Sequence, residues 1–410
     1  MDGLLSGGYI NDRKPSHSEI DFRRTVIALV IRTSMEERCG HFFQKDNVAL
    51  PRKTGANGPA HRALPRKGVI LATMAQPYIG GQAVIEGVMM RAPACLTVAV
   101  RRPDGTIALR EGPYHSTWSK KLWKLPGFRG VAMLVESMTM GFSALQFSAE
   151  QQMTEEELAQ DEGSGRLAVI ISTVLALGLF VALPQFLASL TAKGAGWDLG
   201  LTDTAFHVLI GGFKLLIFVG YLFAISRIPD VRRLFQYHGA EHKTIHAYEK
   251  NLPLTVENVQ AQTTLHPRCG TTFLVVVIVV SIIIGSLAAP LLMPNVDGWL
   301  GQVALLLIRI GLLPIIAAIS YEFQRLSARF CTTGWRRVVL YPGFLFQKIT
   351  TRQPDDDQVE IAIAAMEAAA WRDRIQEDEP HGEEPIVFAS FARFREVLSE
   401  NGSLIASRAA

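Results

Sequence analysis

Cysteine and charge are both scarce in this chain of 410 residues. It has 4 cysteines, and none of them forms a Cys-x-x-Cys pair, which excludes a disulfide framework and a zinc ribbon. Charged residues make up only 19% of the chain and the net charge is +3, which excludes a nucleic-acid binder recruited by bulk positive charge. Since hydrophobic residues reach 49%, the composition indicates a membrane protein.

Long hydrophobic runs fill the middle of the chain. A helix needs about 20 apolar residues to cross a bilayer, and four segments meet that length. They are Leu167–Leu190, Ala205–Ile225, Thr271–Met293 and Leu300–Ser320. The sequence therefore predicts a mainly α membrane protein with a four-helix transmembrane domain over residues 167–321. Lys214 and Arg309 lie inside these runs, and we expect them to face the helix bundle rather than lipid. The alternative is that their side chains snorkel to the membrane surface.

Basic residues are unevenly distributed among the loops between these runs. The first loop contains only Lys193, and the third loop contains no Lys or Arg. The middle loop, residues 226–270, carries Arg227, Arg232, Arg233, Lys243, Lys250 and Arg268. Because Lys and Arg accumulate on the cytoplasmic side of a membrane, we expect the middle loop and both termini to be cytoplasmic.

The segments before the first run are predicted to form two small cytoplasmic units. Residues 74–115 contain two strand-like segments around a Pro103-Asp104-Gly105 turn, which predicts a β-hairpin unit. Residues 116–160 predict an amphipathic helix that lies in the membrane interface. A fifth span is the alternative for this helix, and Glu136 near its middle argues against it.

The two ends and the segment after the fourth run complete the domain organisation. Residues 1–73 show no helical or strand periodicity, so we expect a disordered or spurious N-terminal extension. Residues 322–376 predict a cytoplasmic helical region, because acidic residues at its helix start suit the helix dipole. Residues 377–410 are acidic and contain proline, which predicts a mobile tail.

The middle loop contains the motif that carries chemistry, HGAEHKTIHAYE. His238, His242 and His246 follow one another at intervals of four residues. On a helix, these imidazoles and the carboxylates of Glu241 and Glu249 fall within an arc of roughly 140°. Divalent transition metals take such donors, so we predict a divalent metal site, with zinc as the first choice and the identity open. Glu241 would be the catalytic base of a His-x-x-Glu-His motif; the alternative is a polar helix face with solvated histidines.

Two further residues are candidates to complete the metal site. His266 precedes the third run, and the hairpin of the second and third runs returns it to the membrane face of His238. Glu322 follows the fourth run and is predicted to be a distal carboxylate ligand, with a pair to Arg325 as the alternative. Cys269 is interpreted as a small residue at the entry of a helix rather than as a ligand.

Five long motifs stand out along the chain, each occurring once. They are GGQAVIEGVMMR (80–91), HGAEHKTIHAYE (238–249), ENVQAQTTLHPRCGTTF (257–273), ISYEFQRL (319–326) and PGFLFQKITTRQPDDDQVEIAIAA (342–365). Together they resemble the YqhQ-like family of bacterial membrane proteins over about residues 78–370. The resemblance implies a multi-pass protein of the bacterial inner membrane and a metal-dependent enzyme, without naming a substrate.

Three classes of function remain open at this point. The first is a metal-dependent hydrolase with a cytoplasm-facing His/Glu site. The second is a small transporter in which Lys214 and Arg309 mark a polar path. The third is a non-catalytic membrane scaffold whose histidine cluster is structural. In each class the lipid bilayer is the expected partner, nucleic acid is not, and a homo-oligomer is an open alternative.

Overall fold

The computed structural model describes most of the chain after residue 76. The described residues are 77–114, 125, 127–154, 165–292, 298–331, 334–375 and 384–401. The extension predicted over residues 1–73 lies outside them. The strands are β1 (Gly80–Val84), β2 (Gly87–Arg91), β3 (Cys95–Arg101), β4 (Ile107–Pro113) and β5 (Ile386–Phe388). The helices are α1 (Phe128–Glu150), α2 (Gly165–Leu177), α3 (Leu183–Gly194), α4 (Thr204–Ile225), α5 (Pro229–Glu249), α6 (Val256–Gln260), α7 (Gly270–Leu292), α8 (Gly298–Phe330), α9 (Tyr341–Thr350), α10 (Asp356–Ile375) and α11 (Phe391–Asn401), with a 3-10 helix at Gly334–Leu340 before α9.

Four of the helices in the described part of the chain are long and apolar enough to cross a membrane. They lie at Ile170–Gly194, Thr204–Ile225, Gly270–Leu292 and Gly298–Phe330, the first of them formed by α2 and α3 with a π-helical turn between. This confirms the four apolar runs as candidate spans. Many of their apolar side chains remain exposed, and Leu291 of α7 is 80% exposed. Exposing such an apolar surface to water is energetically unfavourable, whereas contact with lipid acyl chains is not.

Polar side chains within the spans turn toward the bundle. Arg309 of α8 is only 7% exposed, and its Nη2 lies 2.5 Å from Nδ1 of His207 on α4. Lys214 of α4 reaches Ser281 of α7, with 3.4 Å between Nζ and Oγ. Both cations therefore avoid the lipid-facing surface, where an unpaired charge costs several kcal/mol.

The five strands form a single antiparallel sheet in the order β1-β2-β3-β4-β5. Its side chains alternate between the two faces, as the period of two residues in a strand requires. One face packs against α1, and its buried residues are Val84, Met89, Val98, Val100 and Ala108. The other face packs against α5 and α10, and its buried residues include Val88, Met90, Ala99, Ile107 and Leu109. The predicted small β-rich unit is thus a sheet covered by helices on both faces.

Helix α10 forms the centre of the domain around this sheet. It is buried on almost every side, from Val359 to Ala370. Its alanines, such as Ala364 and Ala365, let β3 and α5 approach closely from different directions. Its two glutamates within this stretch, Glu360 and Glu367, form ion pairs with Arg101 and Arg395, so the helix can be enclosed on nearly all sides. The sheet with α5, α6, α10 and α11 is called the sheet domain below.

Helix α1 connects the sheet domain with the membrane helices. Its Ala144 and Phe147 pack on the sheet. At its other end, a Cβ added to Gly130 would lie only 3.0 Å from Cα of Ala318 on α8. Within the described residues, α1 is not among the helices that meet the criterion for a span. Three side chains of the apolar stripe predicted from the sequence stay exposed, Val135, Met138 and Phe142.

The C-terminal segment departs from the predicted mobile tail over its described part. Strand β5 pairs with β4, with Phe388 opposite Ile107. In α11, Phe394 is fully buried and stacks edge-on against Phe388 at 5.3 Å between ring centroids. The reason is apolar alternation, because Ile386 and Phe388 both point inward and extend the buried face of the sheet.

Candidate metal centre

Helix α5 carries the histidine motif and runs without interruption through it. Gly239 does not break this helix. A Cβ at Gly239 would lie 2.0 Å from the backbone oxygen of Arg352, so the residue without a side chain allows the segment after α9 to pass directly over α5. The backbone N–H of Arg352 also donates a hydrogen bond to the carbonyl of Phe235. The motif is therefore fixed between the sheet and the segment that follows the membrane helices.

Three potential metal ligands converge on one point at the face of α5. They are His238, His242 and Cys269, and one ligand atom from each lies within 4.8 Å of the other two. The Cys269 Sγ atom is 3.3 Å from Nε2 of His238, although the two residues are 31 positions apart in the chain. We call these three residues the His-His-Cys cluster.

Hydrogen bonds to backbone carbonyls orient both imidazoles of this cluster. Nδ1 of His238 donates to the carbonyl of Thr350 at 2.8 Å, and Nδ1 of His242 donates to the carbonyl of Thr264 at 2.5 Å. Since a carbonyl can only accept, each Nδ1 carries the proton, and each Nε2 of a neutral ring presents its lone pair to the cluster. Metal-binding histidines are commonly held in this way, by a hydrogen bond from the nitrogen that does not bind the ion.

Glu241 lies beside the His-His-Cys cluster and is almost completely buried. Its Oε2 is 3.4 Å from Nε2 of His242, and its carboxylate accepts a hydrogen bond from the backbone of Gly81 in β1. Burial raises the pKa of Glu241, while His238 and His266 counteract this rise. Burial lowers the pKa of His242, which favours the neutral imidazole that metal binding needs.

A cavity of about 100 Å³ opens onto these groups. Its lining comes from β1 and the residues before it, from α5, and from the segment that leads into α7. The lining residues are Tyr78, Ile79, Gly80, Gly81, His238, Glu241, His242, Ile245, His266, Arg268, Cys269 and Gly270. At roughly 30 Å³ for each water molecule, the cavity has room for an ion and a few waters beside the Glu241 carboxylate.

His266 also lines this cavity. Gln347 holds its backbone from both sides, because Oε1 of Gln347 accepts from the His266 N–H and Nε2 donates to the His266 carbonyl, each at 2.8 Å. The side-chain Nε2 of His266 is buried and has no hydrogen-bond partner among the described residues. The backbone N–H of Arg268 donates to Nδ1 of His266 at 3.4 Å, so in the neutral ring Nε2 carries the proton. Oε2 of Glu249 lies 3.8 Å from this Nε2.

A second cluster of potential ligands lies one turn further along α5. It consists of His246, Glu249 and His266. Nε2 of His246 donates to the carbonyl of Leu265 at 2.9 Å, and Glu249 forms an ion pair with Arg268. Because Arg268 neutralises its carboxylate, this cluster is less suited to a metal ion than the His-His-Cys cluster. Of the residues predicted as one metal site, His238 and His242 thus belong to the His-His-Cys cluster, and His246, Glu249 and His266 belong to the second cluster.

Glu322 and Glu86, which both lie in the long motifs, form ion pairs with arginines outside the two clusters. Glu322 of α8 forms a bidentate ion pair with Arg129 of α1 and belongs to neither cluster of the described residues. Gly130 of α1 packs against Ala318 of α8, one helical turn before Glu322, so α1 covers the side of α8 that carries Glu322. Glu86, in the turn between β1 and β2, binds Arg233 through both carboxylate oxygens, at 2.6 Å each.

Cys269 and Gly81 lie in this site, although the sequence does not single out either as a ligand or a neighbour of Glu241. Cys269 was interpreted as a small residue at a helix entry, yet its sulfur completes the cluster. The spacing His266-x-x-Cys269 is the one signal in the sequence that favours it. Gly81 is close enough to Glu241 that an added Cβ would lie 2.6 Å from Cγ of Glu241, a contact between residues 160 positions apart that no local pattern predicts.

Comparison with known proteins agrees with the resemblance carried by the five motifs. A family model described as "Protein of unknown function (DUF1385)" matches residues 125–371. The chain is 37% identical over 304 residues to "Uncharacterized protein YqhQ" of Bacillus subtilis (strain 168), an alignment that covers 71% of this chain and 91% of that protein. No solved structure matches the chain.

Proposed function

This chain belongs to the DUF1385 family, the YqhQ-like proteins, and we propose that it is a membrane-bound, metal-dependent hydrolase. The observation that carries the proposal is the convergence of His238, His242 and Cys269 beside the buried carboxylate of Glu241. His266 lines the same cavity and would be a further ligand in the tautomer that carries its proton on Nδ1.

The donor set fits a zinc ion in a catalytic rather than a purely structural role. Two imidazole nitrogens and one thiolate are ligands that zinc takes, and catalytic zinc sites keep one coordination position open. Both imidazoles already donate Nδ1–H to carbonyls, so their lone pairs are aimed before any ion binds. An ion bound by these residues would act as a Lewis acid and activate water.

Glu241 supplies the acid–base group in this proposal. A buried carboxylate with a raised pKa is a more effective proton acceptor near neutral pH than an exposed one. The Gly81 N–H fixes one side of the carboxylate, which leaves the cavity side to accept a proton from water and return it to the leaving group. The volume of about 100 Å³ means that only the reacting group of a larger substrate would enter.

The distribution of basic residues supports a cytoplasmic position for this site. The segments that flank α5 and follow α8 are rich in arginine, whereas residues 195–203 between α3 and α4 contain no Lys or Arg, and such asymmetry marks the cytoplasmic side. The exposed apolar stripe of α1 suits a helix that lies along the membrane interface. The proposed location is the bacterial inner membrane, with both termini in the cytoplasm.

A glutamine variant separates catalysis from a structural role of the metal. The protein, reconstituted in nanodiscs, would be assayed against panels of chromogenic carboxylic esters, phosphoesters and peptides, with metal content measured on the same samples. We expect Glu241→Gln to lose hydrolysis by at least about a hundredfold, the usual contribution of a general base, and to retain its metal. Glu257→Gln, an exposed glutamate on α6, is the matched control and should behave as wild type. Unchanged hydrolysis in Glu241→Gln would contradict the proposal. So would a metal-loaded wild type that hydrolyses no substrate on any panel, and the function would then be better explained as a non-catalytic membrane scaffold.

A further inference from the structure

A second cavity lies at the ends of α4 and α9 and the start of α5. Its volume is about 480 Å³. The lining residues are Phe223, Ser226, Arg227, Arg232, Lys348, Ile349 and Arg352. It is separate from the histidine cavity, since the two share no lining residue.

The lining of this cavity is strongly cationic. Arg227, Arg232, Lys348 and Arg352 line it together, and no carboxylate is among the lining residues. Nε of Arg352 is buried and has no hydrogen-bond partner among the described residues. Four positive charges around one cavity repel one another and lower the free energy of unfolding of the protein without a bound anion. An anion bound in the cavity would therefore be strongly stabilised.

The lining arginines are held in place by the surrounding fold. The guanidinium of Arg227 lies over the ring of Phe223, 4.3 Å from its centroid. The backbone of Arg352 is fixed by its hydrogen bond to Phe235. Such positioning suits recognition of a phosphate, because the planar guanidinium donates two parallel hydrogen bonds to its oxygens.

The segment next to the cavity exposes apolar side chains at the end of the membrane helices. Helix α9 packs against α4 through Phe346 and Phe218, whose rings stack with 5.4 Å between centroids. On its outer side, the 3-10 helix and α9 leave large side chains uncovered: Trp335, Val338, Val339, Tyr341 and Leu345. Aromatic and aliphatic side chains mixed with arginines are typical of a segment at the lipid headgroup level. The cavity therefore opens where phospholipid headgroups lie.

We propose that this basic cavity binds a phosphate group, and that an anionic phospholipid headgroup supplies it. Basic pockets between membrane helices recognise anionic headgroups through the same chemistry. The proposal is independent of the metal centre, because none of the four cations belongs to the His-His-Cys cluster or contacts Glu241 in the described part of the chain.

Native mass spectrometry of the full chain tests this proposal. The protein would be equilibrated with phosphatidylglycerol or with phosphatidylcholine, and the retained lipid counted after release from detergent. We expect wild type to retain phosphatidylglycerol selectively. Lys348→Gln should weaken retention about fivefold and Arg232→Gln/Lys348→Gln more strongly, since each cation near an anionic surface contributes about that factor. Both side chains are exposed, so these variants should fold normally.

Matched controls and a second ligand decide between the outcomes. Arg336→Gln/Arg337→Gln removes two exposed charges of the neighbouring 3-10 helix that do not line the cavity, and it should retain more phosphatidylglycerol than the Arg232→Gln/Lys348→Gln pair does. Calorimetric titration with inorganic phosphate would show whether a free anion binds. Phosphate binding that is lost in the cavity variants, with equal lipid retention in all variants, would overturn the lipid as the source. Equal behaviour of cavity and control variants toward both ligands would overturn the site.

Discussion

Nε2 of His238 and Sγ of Cys269 lie 3.3 Å apart, and this contact joins α5 to the segment that enters α7. Each of the two residues is held in place by its own hydrogen bond to another segment. Thr350 accepts the Nδ1 proton of His238, and Gln324 of α8 donates to the Cys269 carbonyl at 3.1 Å. The membrane helices and the sheet domain therefore both contribute to one candidate metal centre.

The first prediction concerns the thiolate ligand. Cys269→Ala should lower metal content well below one equivalent, because two imidazoles alone leave the coordination shell half filled. Metal would be measured by mass spectrometry of the elements in detergent-purified protein. Cys331→Ala is the matched control, since Cys331 lies at the end of α8 and belongs to neither cluster of the described residues. Full metal content in Cys269→Ala would remove this residue from the site.

The second prediction concerns the contact between β1 and Glu241. Gly81→Ala would place a Cβ 2.6 Å from Cγ of Glu241 and 2.9 Å from Sδ of Met90, so the buried carboxylate must move. Overpacking of this kind costs about 1–3 kcal/mol, and we expect a lower melting temperature and reduced hydrolysis. Gly80→Ala is the control, because the nearest atom to its added Cβ is 4.0 Å away. Equal losses in both variants would show that strand β1 as a whole, rather than this contact, is sensitive.

The third prediction concerns Glu322. Its ion pair with Arg129 is the contact that the structure assigns to it, so Glu322→Gln should leave metal content unchanged. Because both side chains are 28% exposed, the loss of the pair should lower the free energy of unfolding by about 1 kcal/mol or less. Arg129→Gln should reproduce that loss. A drop in metal content in Glu322→Gln alone would restore the carboxylate as a distal ligand.

The fourth prediction concerns the dependence of stability on pH. Burial lowers the pKa of His246 to about 4, with further lowering by His266, His242 and Lys250. The unfolded chain has a histidine pKa near 6.5, so between about pH 6.5 and pH 4 it binds more protons than the folded chain. The contribution of His246 to stability is therefore complete above pH 6.5 and falls as the pH drops through that window.

A glutamine variant isolates this contribution from those of other acidic and basic groups. His246→Gln can keep a hydrogen bond to the Leu265 carbonyl but has no titrating ring. The melting temperature should fall less between about pH 7 and pH 5 in this variant than in wild type. Identical pH profiles would mean that His246 titrates normally in the folded protein.

Local patterns in the sequence account for the spans and for the histidine face. The length rule identified all four apolar helices, because lipid imposes the same requirement on each. The intervals of four residues placed His238 and His242 on one face of α5, since helical geometry alone fixes that relation. The family resemblance rested on long motifs and is confirmed by the family match over residues 125–371.

Contacts between distant segments account for what the sequence did not show. Strand β5 pairs with β4 across some 280 residues of sequence, and the sequence of neither strand identifies the other as its partner. Glu322 was assigned by its position at the predicted end of a span, but α8 has 33 residues, about 50 Å at 1.5 Å for each residue. The direction of Glu322 is set by the contact of α8 with α1, through Arg129 and Gly130, and local sequence does not encode that contact.

The most direct test of the His-His-Cys cluster is X-ray absorption at the edge of the bound metal in purified wild-type protein. The account predicts one sulfur ligand at about 2.3 Å and at least two imidazole nitrogens at about 2.0–2.1 Å, with the sulfur contribution lost in Cys269→Ala and kept in Cys331→Ala. A first shell of nitrogen and oxygen alone, or a sulfur contribution that persists in Cys269→Ala, would contradict the assignment of the metal to His238, His242 and Cys269.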